Sequence, residues 1–228
     1  AVRTSTPVRL IEHGRGGVTL HYDGGTVAVG AVGLAMEPGQ VSKIEFSPSL
    51  PPARDRLRAR WLAGHGAKYI AVYDRPFWRE EGLAGEAVGD LGPFGEIMDV
   101  SPTDGDEGIL LALYFASDVN APALDAAAAS EAGVRAAVLD AMAFCFGPQA
   151  YEAQESCAFD WSWDHWSQGC GTARPPGALS TVGHALHPPV GRLVWAGADN
   201  GTANWMEGAV RAGHAAALAT AELLNMKC

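Results

Sequence analysis

Cysteine is scarce and poorly spaced for metal or redox work. Cys145, Cys157, Cys170 and Cys228 are the 4 cysteines among 228 residues, and none forms a C-x-x-C pair. Zinc ribbons and thioredoxin-type sites are thereby disfavoured, and no metal site is expected. Positive charge is short as well: 16 Lys and Arg face 26 Asp and Glu, for a formal net charge of -10. No basic run or RNA-reading motif offsets that deficit, which argues against nucleic acid and against anionic membrane surfaces as partners. No apolar run reaches transmembrane length, because the longest Ala-rich stretch, 121–142, is interrupted by Asp125, Glu131, Arg135 and Asp140. The chain reads as soluble, with the cytoplasm the favoured compartment. It has no initiator Met and no charged-then-apolar leader, so a processed chain, or one cut from something longer, is expected.

What is present supports a full hydrophobic core: 48% of the residues are apolar, enough for one domain or two small ones. Residues 8–11, 18–22 and 26–36 read as strands separated by Gly14, Gly16, Gly17 and the Asp23-Gly24-Gly25 turn, a β-meander. Pro51 and Pro52 open a basic helix, RDRLRARWL, that Gly64 and Gly66 end. Residues 67–73, 95–100 and 109–115 have strand character, and a helix over about 125–146 stops at Gly147-Pro148. A Trp-rich irregular stretch and a Pro-rich loop follow. The expected class is α+β, without internal repeats.

The most informative segment is the last, LVWAGADNGTANWMEGAVRAGHAAALATAELL, from residue 193 to 224. A short buried strand over 193–195 leads into a turn where Gly197 and Gly201 let backbone approach a ligand, and a helix begins near Trp205. Gly208, Ala209, Gly213 and Ala217 keep one face of that helix thin. Its N-terminal N–H groups suit a flavin carbonyl or a phosphate. An ordinary strand–turn–helix reads the same way from pattern alone.

This segment resembles the closing flavin-binding segment of the FAD-dependent amine oxidases, and three further blocks match that family in order. The first, running from Pro7 to Ala59, resembles the family's return from substrate domain to FAD domain; its IEFSPSLP element has no counterpart in a plain β-meander. By that resemblance Val8 sits where backbone meets the adenine end of FAD. The second, AKYIAVYDRPFWRE, is similar to the family's lysine-bearing strand. There Lys68 takes the place of a lysine that holds a water against flavin N5, where a buried ammonium or amine manages protons as hydride leaves the substrate. Taken alone, a Lys opening a strand is more often a solvated end residue.

The third block, FDWSWDHWSQGCGTARPPGAL, resembles the family's D-W…G…P-G segment and begins at Phe159, with Trp161 toward the flavin. Cys170 falls where monoamine oxidases join a cysteine to the flavin 8α-methyl, but the loop has the shorter length of bacterial enzymes that hold FAD without a bond. A small semi-buried thiol explains Cys170 equally, since alkylation needs a reactive thiolate; non-covalent FAD is favoured, with a Cys170 link the alternative. In the fourth block, Gly197 and Asp199 match the family's A-G-x-E/D, while Trp205 and Met206 match its aromatic-M-E-G-A-V helix start. Trp205 thus stands as one wall of the aromatic cage that steers the amine. The second wall is Gly171 here, so closure falls to Trp163, Trp166 or Tyr114.

The resemblance implies three parts: a β-meander over 1–40 completing the FAD domain, a substrate-binding domain with mixed sheet and helices over 41–190, and the carboxy-terminal strand and helix of a Rossmann-like FAD domain over 191–228. No strand–G-x-G-x-x-G–helix unit occurs; HGRGGV and DGGTV sit in hairpin turns. A second polypeptide carrying that motif is therefore expected as an obligate partner in a hetero-oligomer. Together they would oxidise a small-molecule amine to an imine and pass electrons to O2 with release of hydrogen peroxide. An L-amino-acid oxidase, with Arg174 as the cation for a substrate carboxylate, and a non-catalytic scaffold subunit are the alternatives.

Overall fold

The computed structural model describes residues 2–91, 94–115, 131–200 and 204–225. The chain forms two compact units, one of Ala1–Ala63 with Thr172–Cys228, the other of Gly64–Gly171. The unit limits thus fall at 63/64 and 171/172, whereas the functional division expected from sequence fell at 40/41 and 190/191.

In the first unit, β1 (Val8–Gly14), β2 (Gly17–Tyr22) and β3 (Gly25–Val29) form the expected meander, and β5 (Glu45–Ser47) joins β1 in parallel. Residues 26–36, read as one strand, make two: β3 stays on the meander, while β4 (Val32–Ala35) leaves to pair in parallel with β13 (Leu193–Ala196). The side chains of Ile11, Val18, Leu34, Val41, Leu193 and Trp195 fuse these pieces into one core. Helix α1 (Pro52–Arg60) starts on proline, as expected, because its first N–H groups have no intrahelical partner. Its Arg54 is buried with no carboxylate paired to it among the described residues: it donates to the carbonyls of Ala185 and Leu186 at 2.6 and 2.8 Å and lies 3.4 Å over the Trp195 ring. Burial lowers its pKa to about 9, which leaves the guanidinium charged at neutral pH. It ties α1 to the segment that precedes β13. The strands β6 (Leu62–Ala63) and β12 (Thr172–Ala173) pair antiparallel.

In the second unit, five strands run in the order β11-β7-β10-β9-β8: β7 (Gly66–Tyr73), β8 (Ala87–Leu91), β9 (Phe94–Asp99), β10 (Gly108–Phe115) and β11 (Glu155–Asp160). Short α2 (Phe77–Glu80) and long α3 (Glu131–Phe146) supply Phe77, Trp78, Val138, Met142 and Phe146 to a core against Tyr69, Ala71 and Tyr73. Alternation along β7 sends Tyr69, Ala71 and Tyr73 into that core and Lys68, Ile70 and Val72 to the opposite face. The expected start of α3 at about 125 lies outside the described residues. Back in the first unit, the chain ends with α4 (Ala178–Val182) and α5 (Trp205–Leu223). Among the described residues no helix is long and apolar enough to cross a membrane.

Candidate active site

The candidate residues fall in two sets, one per unit. In the second unit the sheet face opposite the core gathers Lys68, Trp161 and Cys170. Lys68 is paired on both sides, to Leu113 of β10 and to Phe159 of β11, so it sits inside the central region of the sheet and not at a loose strand end. Directly opposed residues share a face with Cβ atoms about 4.5–5.5 Å apart; Phe159, Lys68 and Leu113 therefore form one continuous row. The Lys68 side chain is exposed in this chain. Trp161 follows β11 in a short 3-10 turn, and its ring meets Phe159 edge to face at 4.7 Å.

Asp160, between those two rings, anchors the strand end. It accepts from the Ser162 amide at 2.8 Å and from the Trp163 indole at 3.1 Å, and pairs with His65 at 3.0 Å. Burial pushes its pKa up, but hydrogen bonds from His65 and Ser162 outweigh burial and hold it below the usual carboxylate range. Cys170 is placed by a local zipper: its amide donates to the Gly64 carbonyl and the Gly64 amide donates to the Gly171 carbonyl, both at 2.9 Å. A Cβ added at Gly66 would lie 2.6 Å from the Cys170 Cβ, so only glycine leaves room for this thiol on the sheet. Gly66 precedes Lys68 by two residues along the strand, which puts Cys170 on the Lys68 face. Trp163 and Trp166 are exposed, the first tied to Asp160 and the second set edge-on to His165 at 4.8 Å. The side chain of Tyr114 lies outside the described residues.

The first unit carries Val8, Gly197, Asp199, Trp205 and Met206. Val8 opens β1 opposite Tyr22, while pairing with β5 begins only at Leu10, so β5 does not cover the Val8 backbone edge. After β13, Gly197 turns the chain at φ +101, and a Cβ there would meet the Met36 amide nitrogen at 3.4 Å. Asp199 accepts from the Trp61 indole at 3.4 Å. Trp205 begins α5 in the left-handed region, φ +71, a conformation that costs a non-glycine residue about 1–3 kcal/mol. Trp205 and Met206 are 84% and 85% exposed at the positive end of a 19-residue helix. Only Gly208 and Ala212 of α5 are buried; Ala209, Gly213 and Ala217, expected on a packed thin face, are exposed. Gly201, the second glycine expected in this turn, is outside the described residues.

Two residues of this unit were not legible as functional. Asn200 is 5% exposed; its amide group donates to the Ala196 carbonyl at 2.7 Å, while its Oδ1 has no hydrogen-bond partner among the described residues. A buried acceptor without a donor is costly, and a flavin N–H or ribityl hydroxyl is the kind of donor that would satisfy it. With the side-chain-intolerant Gly197, this turn fits a bound flavin nucleotide. Glu37, in the turn after β4, has its pKa raised to about 7 by burial and then by the charge of Asp199, against opposing effects of Gln40 and Lys43. In the sequence, Asn200 and Glu37 look like ordinary turn residues beside glycine and proline. Among the described residues no cluster of His, Cys, Asp and Glu is placed to hold a metal ion.

Comparison with known proteins adds a family to this geometry. Residues 1–220 match the family model of flavin containing amine oxidoreductases. The chain is 35% identical over 213 residues to "Probable flavin-containing monoamine oxidase A" of Dictyostelium discoideum, covering 92% of this chain and 46% of that protein. It is 37% identical over 195 residues to an L-amino acid dehydrogenase of Synechocystis, covering 84% and 40% of the two chains. Among solved structures, cyclohexylamine oxidase from Brevibacterium oxydans superposes with a TM-score of 0.88 at 32% identity, over 96% of this chain and 48% of that one. The chain thus spans about half the length of the relatives it matches.

Proposed function

The chain belongs to the flavin containing amine oxidoreductase family, and from that premise we propose that it is the substrate-side half of an FAD-dependent amine oxidase. FAD, when bound, would supply the two-electron acceptor for oxidation of an amine to an imine, which water would hydrolyse to an aldehyde or ketone, with O2 reduced to hydrogen peroxide. In this chain the Gly197–Asn200 turn, Asp199, the N-terminus of α5, the Val8 edge and Trp161 would hold the flavin. Lys68 holds the water that manages protons beside the reacting centre. Trp205 orients the neutral amine by its ring face and excludes water. The G-x-G-x-x-G half that cradles the pyrophosphate comes from a second polypeptide. Flavin is held without a bond to Cys170.

The observation that carries this reading is the row Phe159, Lys68, Leu113, with Trp161 and Cys170 on the same face. Lys68→Met in the complex tests it: anaerobic flavin reduction by an amine should slow at least about tenfold, with amine affinity within about threefold of wild type. Equal loss of affinity with unchanged reduction would remove Lys68 from the chemistry.

A second reading, oxidation of an amino acid, draws on Arg174. Its guanidinium lies 5.2 Å over the Trp61 ring and its Nη2 donates to the Asn204 Oδ1 at 3.4 Å, one residue before Trp205. A cation at that place suits a substrate carboxylate. L-leucine bleaching the flavin faster than any simple amine, and failing to do so in Arg174→Gln, would favour it.

A further inference from the structure

We propose that Phe159, braced by Trp161, is the specificity-determining side chain of the site, receiving the hydrocarbon portion of a hydrophobic primary amine. The inference rests on the amine oxidase reading above and adds to it the substrate class. Phe159 is the direct cross-strand partner of Lys68, so its ring stands on the same face, next to the lysine. It is 52% exposed and Trp161 is 37% exposed. The two rings meet at an interplanar angle of 67° with centroids 4.7 Å apart, an edge-to-face arrangement that leaves apolar ring surface free.

The pair is held in place from behind. Asp160 separates the two residues in sequence, belongs to the opposite face of β11 and is fixed there by His65, the Ser162 amide and the Trp163 indole. A strand end pinned at its middle residue presents its flanking rings in one orientation, so little side-chain freedom is lost when a ligand settles on them. On the other side of Lys68 the row continues with the half-buried Leu113. The surroundings of the lysine are therefore apolar on both sides, aromatic on one. An amine whose α-carbon reacts beside Lys68 has hydrocarbon walls to lie against on both sides, and the carboxylate on this row, Glu96, comes only beyond Leu113. Glycine at position 171 supplies no ring, and Phe159 is the aromatic side chain directly opposite Lys68.

The test uses the FAD-loaded complex and stopped-flow anaerobic reduction by benzylamine and by propylamine. Phe159→Ala should raise the apparent Kd for benzylamine about tenfold while changing that for propylamine by less than about twofold, and Phe159→Tyr should keep the wild-type preference. Equal effects on the two amines, or none, would overturn the proposal. Should Phe159→Ala lose FAD, Phe159→Leu decides, with a smaller but still benzylamine-selective loss expected and an equal loss contradicting it. If neither amine reduces the wild-type flavin, the amine oxidase reading itself fails, a result distinct from loss of selectivity.

Discussion

Glu37 carries a proton in the folded chain at a pH where it would be ionised in the unfolded one. Its pKa rises from 4.5 to about 7, first through burial and then through the charge of Asp199. A raised carboxyl pKa means that the folded state binds the extra proton, so its contribution is complete below the unfolded value and is lost as pH rises through about 7. Glu37→Gln should abolish that loss. Its melting temperature relative to wild type should climb between about pH 5 and about pH 8, by an amount on the order of 2–4 °C; a pH-independent difference in calorimetry would show that burial and Asp199 do not raise the Glu37 pKa. Cys170 offers a second residue-level test. Its thiol is set on the Lys68 face by the absence of a side chain at Gly66. FAD should leave with the supernatant on acid precipitation. Yellow colour that stays with this chain, and is lost in Cys170→Ser, would establish the covalent link instead.

At the scale of elements, the start of α5 joins strain to function. Trp205 occupies a left-handed conformation that glycine adopts without penalty. Trp205→Gly should therefore be more stable than Trp205→Ala by about 1 kcal/mol in denaturant unfolding, while both variants bind amine and reduce flavin about tenfold less well. An indole retained for packing alone would give the opposite pattern, with stability lost and kinetics intact. The sequence made several elements legible because their signals are local: the β1–β2–β3 meander through its glycine turns, α1 through Pro51 and Pro52, and β7, β9, β10 and β13 through apolar periodicity. Where pairing is distant the signal fails. Residues 26–36 read as one strand because nothing nearby reveals that Val32 to Ala35 pair with Leu193 to Ala196. β11 was hidden in a Trp-rich stretch since ESCAFD lacks the alternation of a half-buried strand, and with it went Phe159, whose meaning depends on lying opposite Lys68.

The chain presents large apolar side chains on its surface. Met206, Val210 and Leu218 recur at helical spacing along α5 and are 85%, 56% and 57% exposed, opposite the buried Gly208 and Ala212. On our reading the second polypeptide covers them, and flavin lies against Trp205. Produced alone, the chain should be colourless and self-associate in analytical ultracentrifugation; produced with its G-x-G-x-x-G partner, it should run as a yellow heteromer. A monodisperse, colourless chain would contradict the obligate contact. The central claim, amine oxidation at the Lys68 face with flavin as acceptor, is tested most directly by the visible spectrum of the complex mixed anaerobically with a primary amine. The account predicts an oxidised-flavin spectrum that bleaches and returns when O2 is admitted; a complex without flavin absorbance, or one whose absorbance no amine or amino acid bleaches, would contradict it.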